Sequence, residues 1–415
     1  MLAMTVFTIV DTLYIARLGT TALAALGFTI PIVMFFMGVI FGLTVGIISI
    51  VSRAYGEGNF DRVRQLATDS LVLTTLIVAI TSVIGYFLID HIFRLMGAKE
   101  EILPLIHHYM AIWYCGMVFM TLLFGGNACM RAIGDTRFPS AILTITAIIN
   151  ICLDPFLIFG WGPFPQMGIA GAALALVIAN AVTSAVSLYF LIFRKKILSP
   201  RLFHEGTVES WKKLLHIGIP SIVSNVISPV SAAAVTWMAA DLGREAVAAF
   251  GISTRIEGLA TLIFFALGAG VSIFTGQNFG AGNYGRVSEI GRLAEKYALL
   301  WGCAVAAVLW VFAERIPLFF DGHPQIVFYT TQYLRIVPVS YGAMGILVIS
   351  NSALNAMGKP LPATILILMR AFALYIPLAY VAEKSYGFTG ILLALAATNI
   401  IIGLASHLWN KVATP

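Results

Sequence analysis

Charge is scarce in this chain of 415 residues: Asp, Glu, Lys and Arg together make up 11%. A soluble domain carries about 25%. With 60% of the residues hydrophobic, no water-facing fold could bury the apolar surface, so the solvent must be lipid. Cysteine is equally thin. Cys115, Cys129, Cys152 and Cys303 fall in apolar runs with no CxxC or other paired spacing, and read as small hydrophobes, neither disulfides nor metal ligands. The seven histidines form no HExxH or similar pattern. A membrane enzyme would need a nucleophile, a metal cluster or an acid/base pair at the membrane surface, and the sequence offers none. No nucleic-acid partner is expected either: the net charge of +6 reflects Lys and Arg kept in cytoplasmic loops. No cleavable signal peptide is expected, because the apolar N-terminus continues straight into a candidate span.

Long apolar runs are what the chain has instead. Twelve are expected to cross the membrane, at roughly 1–17, 24–52, 66–90, 101–130, 137–160, 168–193, 212–241, 247–274, 290–313, 328–356, 361–382 and 387–409. About 20 residues suffice for one crossing. These runs are too long for barrel strands, so each must satisfy its own backbone as a helix. Counted between spans, sixteen basic residues fall on one side, Arg62, Arg64, Lys195, Lys196, Arg286 and Arg292 among them, and six on the other. The rich side is expected to be cytoplasmic, with both termini on it. The longest polar linker, around 193–213, lies on that side at the midpoint of the chain.

The stretches flanking that linker repeat each other. "ARLGTTALAALGF" (16–28) matches "ADLGREAVAAFGI" (240–252), "YGEGNFDRV" (55–63) matches "FGAGNYGRV" (279–287), and "NACMRAIGDTRFP" (127–139) matches "NSALNAMGKPLPA" (351–363). The paired glycines Gly19 and Gly243, Gly56 and Gly280, Gly134 and Gly358 all differ by 224. One offset held this far marks a duplication. Six spans per half is an even number, so both halves enter the membrane from the same side. This is the parallel repeat of secondary transporters, related by an axis along the membrane normal. The division expected is an N-terminal six-helix lobe over 1–193, a linker over 194–211 and a C-terminal six-helix lobe over 212–415. By the same offset the partner of Pro220 would precede residue 1, so the first span is expected to be short at its start.

Duplication lets each polar residue be compared with its twin. Asp11 pairs with Val235, Asp154 with Leu378, Asn150 with Leu374 and Asn127 with Asn351. The two intramembrane acids are thus expected in the first half alone. Each costs about 2.5–3.5 kcal/mol at mid-bilayer on insertion scales, dear enough to imply a function. Asn150 and Asp154 stand four apart and share one helix face, and Pro155 removes a backbone donor beside them. Asp11, Asn127, Asn150 and Asp154 together offer oxygens suited to a hard monovalent cation or a shared proton. Two close carboxylates in a low dielectric cannot both stay charged unless a cation joins them. The bland reading is a structural polar cluster, or residues that face separate crevices.

In the second half Arg255 and Glu257 fall within the eighth span, where their twins are Pro31 and Val33. An i, i+2 pair does not face itself on a helix. Arg335 and Arg370 are candidate partners for Glu257, in a structural ion-pair network or at a substrate or proton site. The glycine-rich loops have no preceding strand and no GK[ST], so they read as tight turns and not phosphate cradles. "MGIAGAALALVIANA" and "GFTGILLALAATN" are small-residue faces for close helix packing. Tyr14, Phe156 and Trp161 are candidates to line a cavity for an apolar cation.

Taken together, "VDTLYIARLGTTALAALG", "GNACMRAIGDTRFP", "NICLDPFLIFG", "RIEGLATLIFFALGAGVSIFTGQNFGAGNYGRV" and "NSALNAMGKPLPA" resemble the multidrug and toxic compound extrusion family, over essentially the whole chain. The resemblance implies twelve helices in two V-arranged lobes. It further implies antiport of amphipathic, often cationic compounds against Na⁺ or H⁺, with no other cofactor. Carried over by position, the family's N-lobe cation site falls on Asp11, Asn127, Asn150 and Asp154. A threonine often found near this site is Leu176 here, which takes away one oxygen ligand for Na⁺ and favours H⁺. The seventh and tenth spans carry no acids, so the chain looks like the DinF-type branch. A monomer in the inner (cytoplasmic) membrane is expected. The alternative is a lipid-linked precursor or oligosaccharide flippase of the same superfamily, and only Arg255, Arg335 and Arg370 would be there to meet a pyrophosphate. A receptor or scaffold would not explain two buried acids confined to one lobe.

Overall fold

The computed structural model of the chain describes residues 10–199, 205–320 and 322–413. Its secondary structure is helical throughout, and the fold is that of an all-α membrane protein. Among the described residues ten helices are long and apolar enough to cross a membrane. The last of them, Pro360–Val412 at 53 residues, holds the eleventh and twelfth expected spans end to end. The first expected span is described only over 10–16, as α1; its earlier part lies outside the described residues.

The chain forms two compact units, one of 1–51 with 59–215, the other of 52–58 with 216–415. In the first unit α1 breaks at Gly19, whose φ of +109° suits glycine. α2 (Thr20–Gly56) and α3 (Phe60–Phe87) follow, then the short α4 (Ile89–Leu95), α5 (Leu103–Ala132), α6 (Arg137–Phe159) and α7 (Ile169–Tyr189). The Asn59 side chain caps α3 by accepting from Arg62 N–H at 3.0 Å. Just before α6, Asp135 accepts from Phe138 N–H in its first turn at 3.2 Å. Its other oxygen meets Lys195 Nζ at 2.8 Å. This lysine holds the Asp135 carboxyl below the usual carboxylate range. Phe36, Trp113 and Tyr114 meet edge to face in the core of this unit.

α8 (Thr207–Asp241) starts in the first unit and passes into the second at 216; there follow α9 (Arg244–Gly280), α10 (Tyr284–Phe312), α11 (Pro324–Ile336), α12 (Tyr341–Ala356), α13 (Pro360–Leu368) and α14 (Ile376–Ala413). α8 begins at Thr207, inside the stretch read as linker up to 211. The reason is a buried anchor: Thr207 Oγ1 donates to Asp69 Oδ1 at 3.3 Å and Trp211 Nε1 to the Asp69 carbonyl at 3.1 Å. The tenth expected span is interrupted by a 3₁₀ turn at Val337–Ser340 around Pro338. α13 passes into α14 through a π-helical stretch, Met369–Tyr375.

The repeat is visible in the backbone. Gly58 and Gly282 have φ of +73° and +74°, and Gly168 and Gly387 share φ of +58° and +56° with ψ near −133° and −137°. The last pair differs by 219 where earlier pairs differ by 224, because the loop before Gly168 is longer by the difference. At the end of α2, within the second unit, a Cβ on Gly56 would stand 1.9 Å from the Gln277 carbonyl oxygen. One on its twin Gly280 would stand 2.1 Å from that of Arg53, which is the twin of Gln277. Two helix ends thus cross at backbone contact, which only glycine allows.

Candidate functional site

The site in the first unit is built where α1, α6 and α7 meet. Ile15, Ile158 and Ala172 are fully or almost fully buried in one cluster. Asp11 stands four residues before Ile15 and Asp154 four before Ile158, so each acid lies one turn back on the face that enters this cluster. The two carboxylates are close enough for their charges to interact. Asp154 has no exposed surface, Asn150 has 1%, and Asp11 is half-buried. α6 is fixed against α7 because Gly171 lets the helices touch: a Cβ there would lie 2.4 Å from the Leu157 carbonyl oxygen.

Asn150 joins the helices. With its amide assigned so that donors face acceptors at both ends, its nitrogen donates to Asp154 Oδ2 at 3.0 Å and its oxygen accepts from Leu176 N–H at 2.9 Å. Asn180 Nδ2 in turn donates to the Leu176 carbonyl at 2.9 Å. Leu123, Thr146, Asn150, Leu176 and Asn180 help to line a cavity that has room for about one water molecule. Thr146 donates to Thr183 across the same helix pair at 3.0 Å. Tyr109 of α5 is buried within electrostatic reach of both Asp11 and Asp154.

Not every expected residue joins this group. Asn127 is 1% exposed, and both its amide atoms lack a hydrogen-bond partner among the described residues; no bond links it to the acids. Tyr14 packs edge to face on Phe159, at 6.0 Å between ring centres. Tyr109, Asn180 and Thr146 escaped the sequence reading. The signal for Tyr109 was present, since its twin at offset 224 is Tyr333. Asp69 was passed over too: like Asp154 it has no exposed surface, and it anchors the start of α8.

In the second unit, Tyr333 donates its hydroxyl to Glu257 Oε2. Of the two arginines offered as partners for Glu257, Arg335 pairs instead with Glu314 Oε1 at 2.7 Å and lies over the Trp310 ring. Arg370 donates from Nε and Nη2 to Asn399 Oδ1 at 3.1 and 2.9 Å. Arg255 is exposed on α9.

A duplicated bundle of apolar helices with acids inside the membrane is the architecture of secondary transporters. The MatE family model matches residues 1–156 and 220–381. The chain belongs to this family, whose members are membrane transporters and not enzymes. It is 37% identical over 411 residues to an FAD transporter of Shewanella oneidensis, covering 99% of this chain and 91% of that one. It is 28% identical over 368 residues to the probable multidrug resistance protein YoeA of Bacillus subtilis, covering 88% and 80%. The crystal structure of the Vibrio cholerae MATE transporter VcmN in the bent form, 30% identical, superposes with a TM-score of 0.95 over 100% of this chain and 93% of that one.

Proposed function

We propose that the protein is a cation-coupled exporter that works by alternating access, with Asp11 and Asp154 as the residues that load and release the coupling ion. The observation that carries this reading is the fully buried Asp154 carboxylate, held by Asn150 and within reach of a second acid. A charge so placed is costly and needs a use. The proton is the favoured ion. Asn150 turns its N–H toward the carboxylate and its oxygen toward α7, and Leu176 brings no side-chain oxygen. Na⁺ would need oxygen lone pairs where these groups put a donor and a methyl. Our reading puts the protein in the cytoplasmic membrane, with both termini inside as the distribution of basic loops suggests, and acting as a monomer.

For the substrate, amphipathic organic cations are the first reading, in keeping with the multidrug names of relatives at 24–28% identity. A flavin nucleotide is the second, favoured by the relative at 37% that spans nearly all of both chains. Proteoliposomes separate these readings. A fluorescent organic cation and FAD are each offered under a pH gradient and, separately, under a Na⁺ gradient. Flux of either compound driven by the pH gradient supports the proposal; flux that ignores both gradients overturns it.

A further inference from the structure

Each unit keeps a buried polar cluster at the same place in its own fold. In the first unit Tyr109 lies within electrostatic reach of the acids, and Thr146 and Asn180 line the cavity beside Asn150. Their counterparts, at offsets of 224, 224 and 219, are Tyr333, Arg370 and Asn399; Tyr333 bonds to Glu257, and Arg370 bonds to Asn399. Tyr333 donates to the Glu257 carboxylate, while the hydroxyls of Tyr341 and Tyr375 lie within its electrostatic reach. Arg370 and Tyr375 both sit on the π-helical stretch Met369–Tyr375, an irregularity that recurs at functional sites. The second unit has lost the acids at the twins of Asp11 and Asp154, which are Val235 and Leu378, and carries one from α9 instead.

Arg370 is the expected ion-pair partner for this carboxylate, yet no salt bridge joins them among the described residues. Asn399 accounts for this. Its oxygen takes both guanidinium donors, and its Nδ2 donates to Ser340 Oγ at 3.0 Å. Ser340 Oγ is itself tied to the Val337 carbonyl at 2.8 Å. The guanidinium is thereby held near Glu257 without closing on it. A carboxylate close to a positive charge but not capped by it keeps a lone pair open.

We propose that Glu257 and Tyr333 form a second proton-loading site, which gives each unit its own. The ligand class is a proton and not an alkali cation. The neighbouring groups are tyrosine hydroxyls, the nearest of which already donates, and a guanidinium that would repel a metal ion; a proton needs only one lone pair. The groups facing Glu257 are Tyr333 from α11, Tyr341 from α12, and Arg370 and Tyr375 from the π-helical stretch. With Glu257 ionised and Arg370 charged the cluster is neutral; loading a proton leaves it with a net positive charge. Asn399 is a positioning residue, since it acts only through Arg370.

The test is infrared difference spectroscopy of the full-length protein in lipid, between alkaline and acidic buffer. The wild type is expected to show carboxyl C=O bands of buried acids. Glu257→Gln should lose one band that the double variant Asp11→Asn, Asp154→Asn retains, which makes this site independent of the proposed coupling pair. Tyr333→Phe should keep that band and shift it, because the acid stays and its donor goes. Should Glu257→Gln fail to fold, the Tyr333→Phe shift decides alone. Identical spectra for wild type and Glu257→Gln, or no shift in Tyr333→Phe, would overturn the proposal. So would a Glu257 band that answers to Na⁺ at fixed pH and not to pH.

Discussion

Asn150 donates to Asp154 Oδ2 at 3.0 Å while its oxygen takes the Leu176 N–H at 2.9 Å. Only this orientation of the amide sets donors against acceptors at both ends. One side chain therefore couples the acid of α6 to the backbone of α7, and it does so inside a packed bundle with almost no exposed surface.

Replacing Asn150 by Leu, the residue its twin Leu374 already is, removes this donor without opening a void. A hydrogen bond to a charged group is worth about 1.5–3 kcal/mol, or roughly a ten- to hundredfold change at about 1.4 kcal/mol per decade. Proton-driven flux in proteoliposomes should fall by about that factor, with the helical circular dichroism unchanged. Undiminished flux would remove Asn150 from the site.

Leu176 decides between ions. It lines the cavity beside Asn150 and Asn180. Leu176→Thr adds one oxygen there and should increase the Na⁺ dependence of transport, measured as flux under a Na⁺ gradient at equal pH on both sides. No change favours a mechanism that runs on protons alone.

The glycine at 171 sets the spacing of the two helices that carry the site. In Gly171→Ala the new methyl meets the Leu157 carbonyl at 2.4 Å, and overpacking of this kind costs about 1–3 kcal/mol. A lower unfolding temperature in detergent is expected, together with reduced transport. Gly270→Ala is the control. Nothing lies within 4 Å of its Cβ position, and replacing a mid-helix glycine by alanine stabilises by about 0.5–1 kcal/mol.

Much of this was legible in the sequence, for physical reasons. Lipid forces apolar length and internal backbone satisfaction, so the spans and the duplication show directly in composition and spacing. Asp11, Asn150 and Asp154 stood out because a polar group in a span is expensive. Three things escaped. Helix ends such as Thr207, inside the expected linker, depend on a distant anchor at Asp69. Tyr109, Thr146 and Asn180 look like ordinary buried residues until packing brings Tyr109 within reach of the acids and the other two to the cavity beside Asn150. The partner of Arg335 is Glu314, a choice made by the fold and invisible to spacing.

Outside the membrane, the turn between α5 and α6 carries a pH-sensitive tie. Lys195 holds the Asp135 carboxyl below its usual range. A folded-state value below the unfolded one means that the tie stabilises above the unfolded value, about 3.9, and is lost as pH falls through the folded value. Asp135→Asn should therefore unfold at a lower temperature than wild type near neutral pH, and the gap should close below about pH 4. Thermal unfolding across a pH series reads this, and a gap that does not vary with pH would contradict it.

The central claim is that a proton on the buried acids of the first unit drives transport. Asp154→Asn in proteoliposomes tests it most directly, with flux of the transported compound followed after a pH gradient is imposed and folding checked by unfolding temperature. The account predicts a folded protein in which the pH gradient no longer drives flux; a folded variant that transports at the wild-type rate would contradict it.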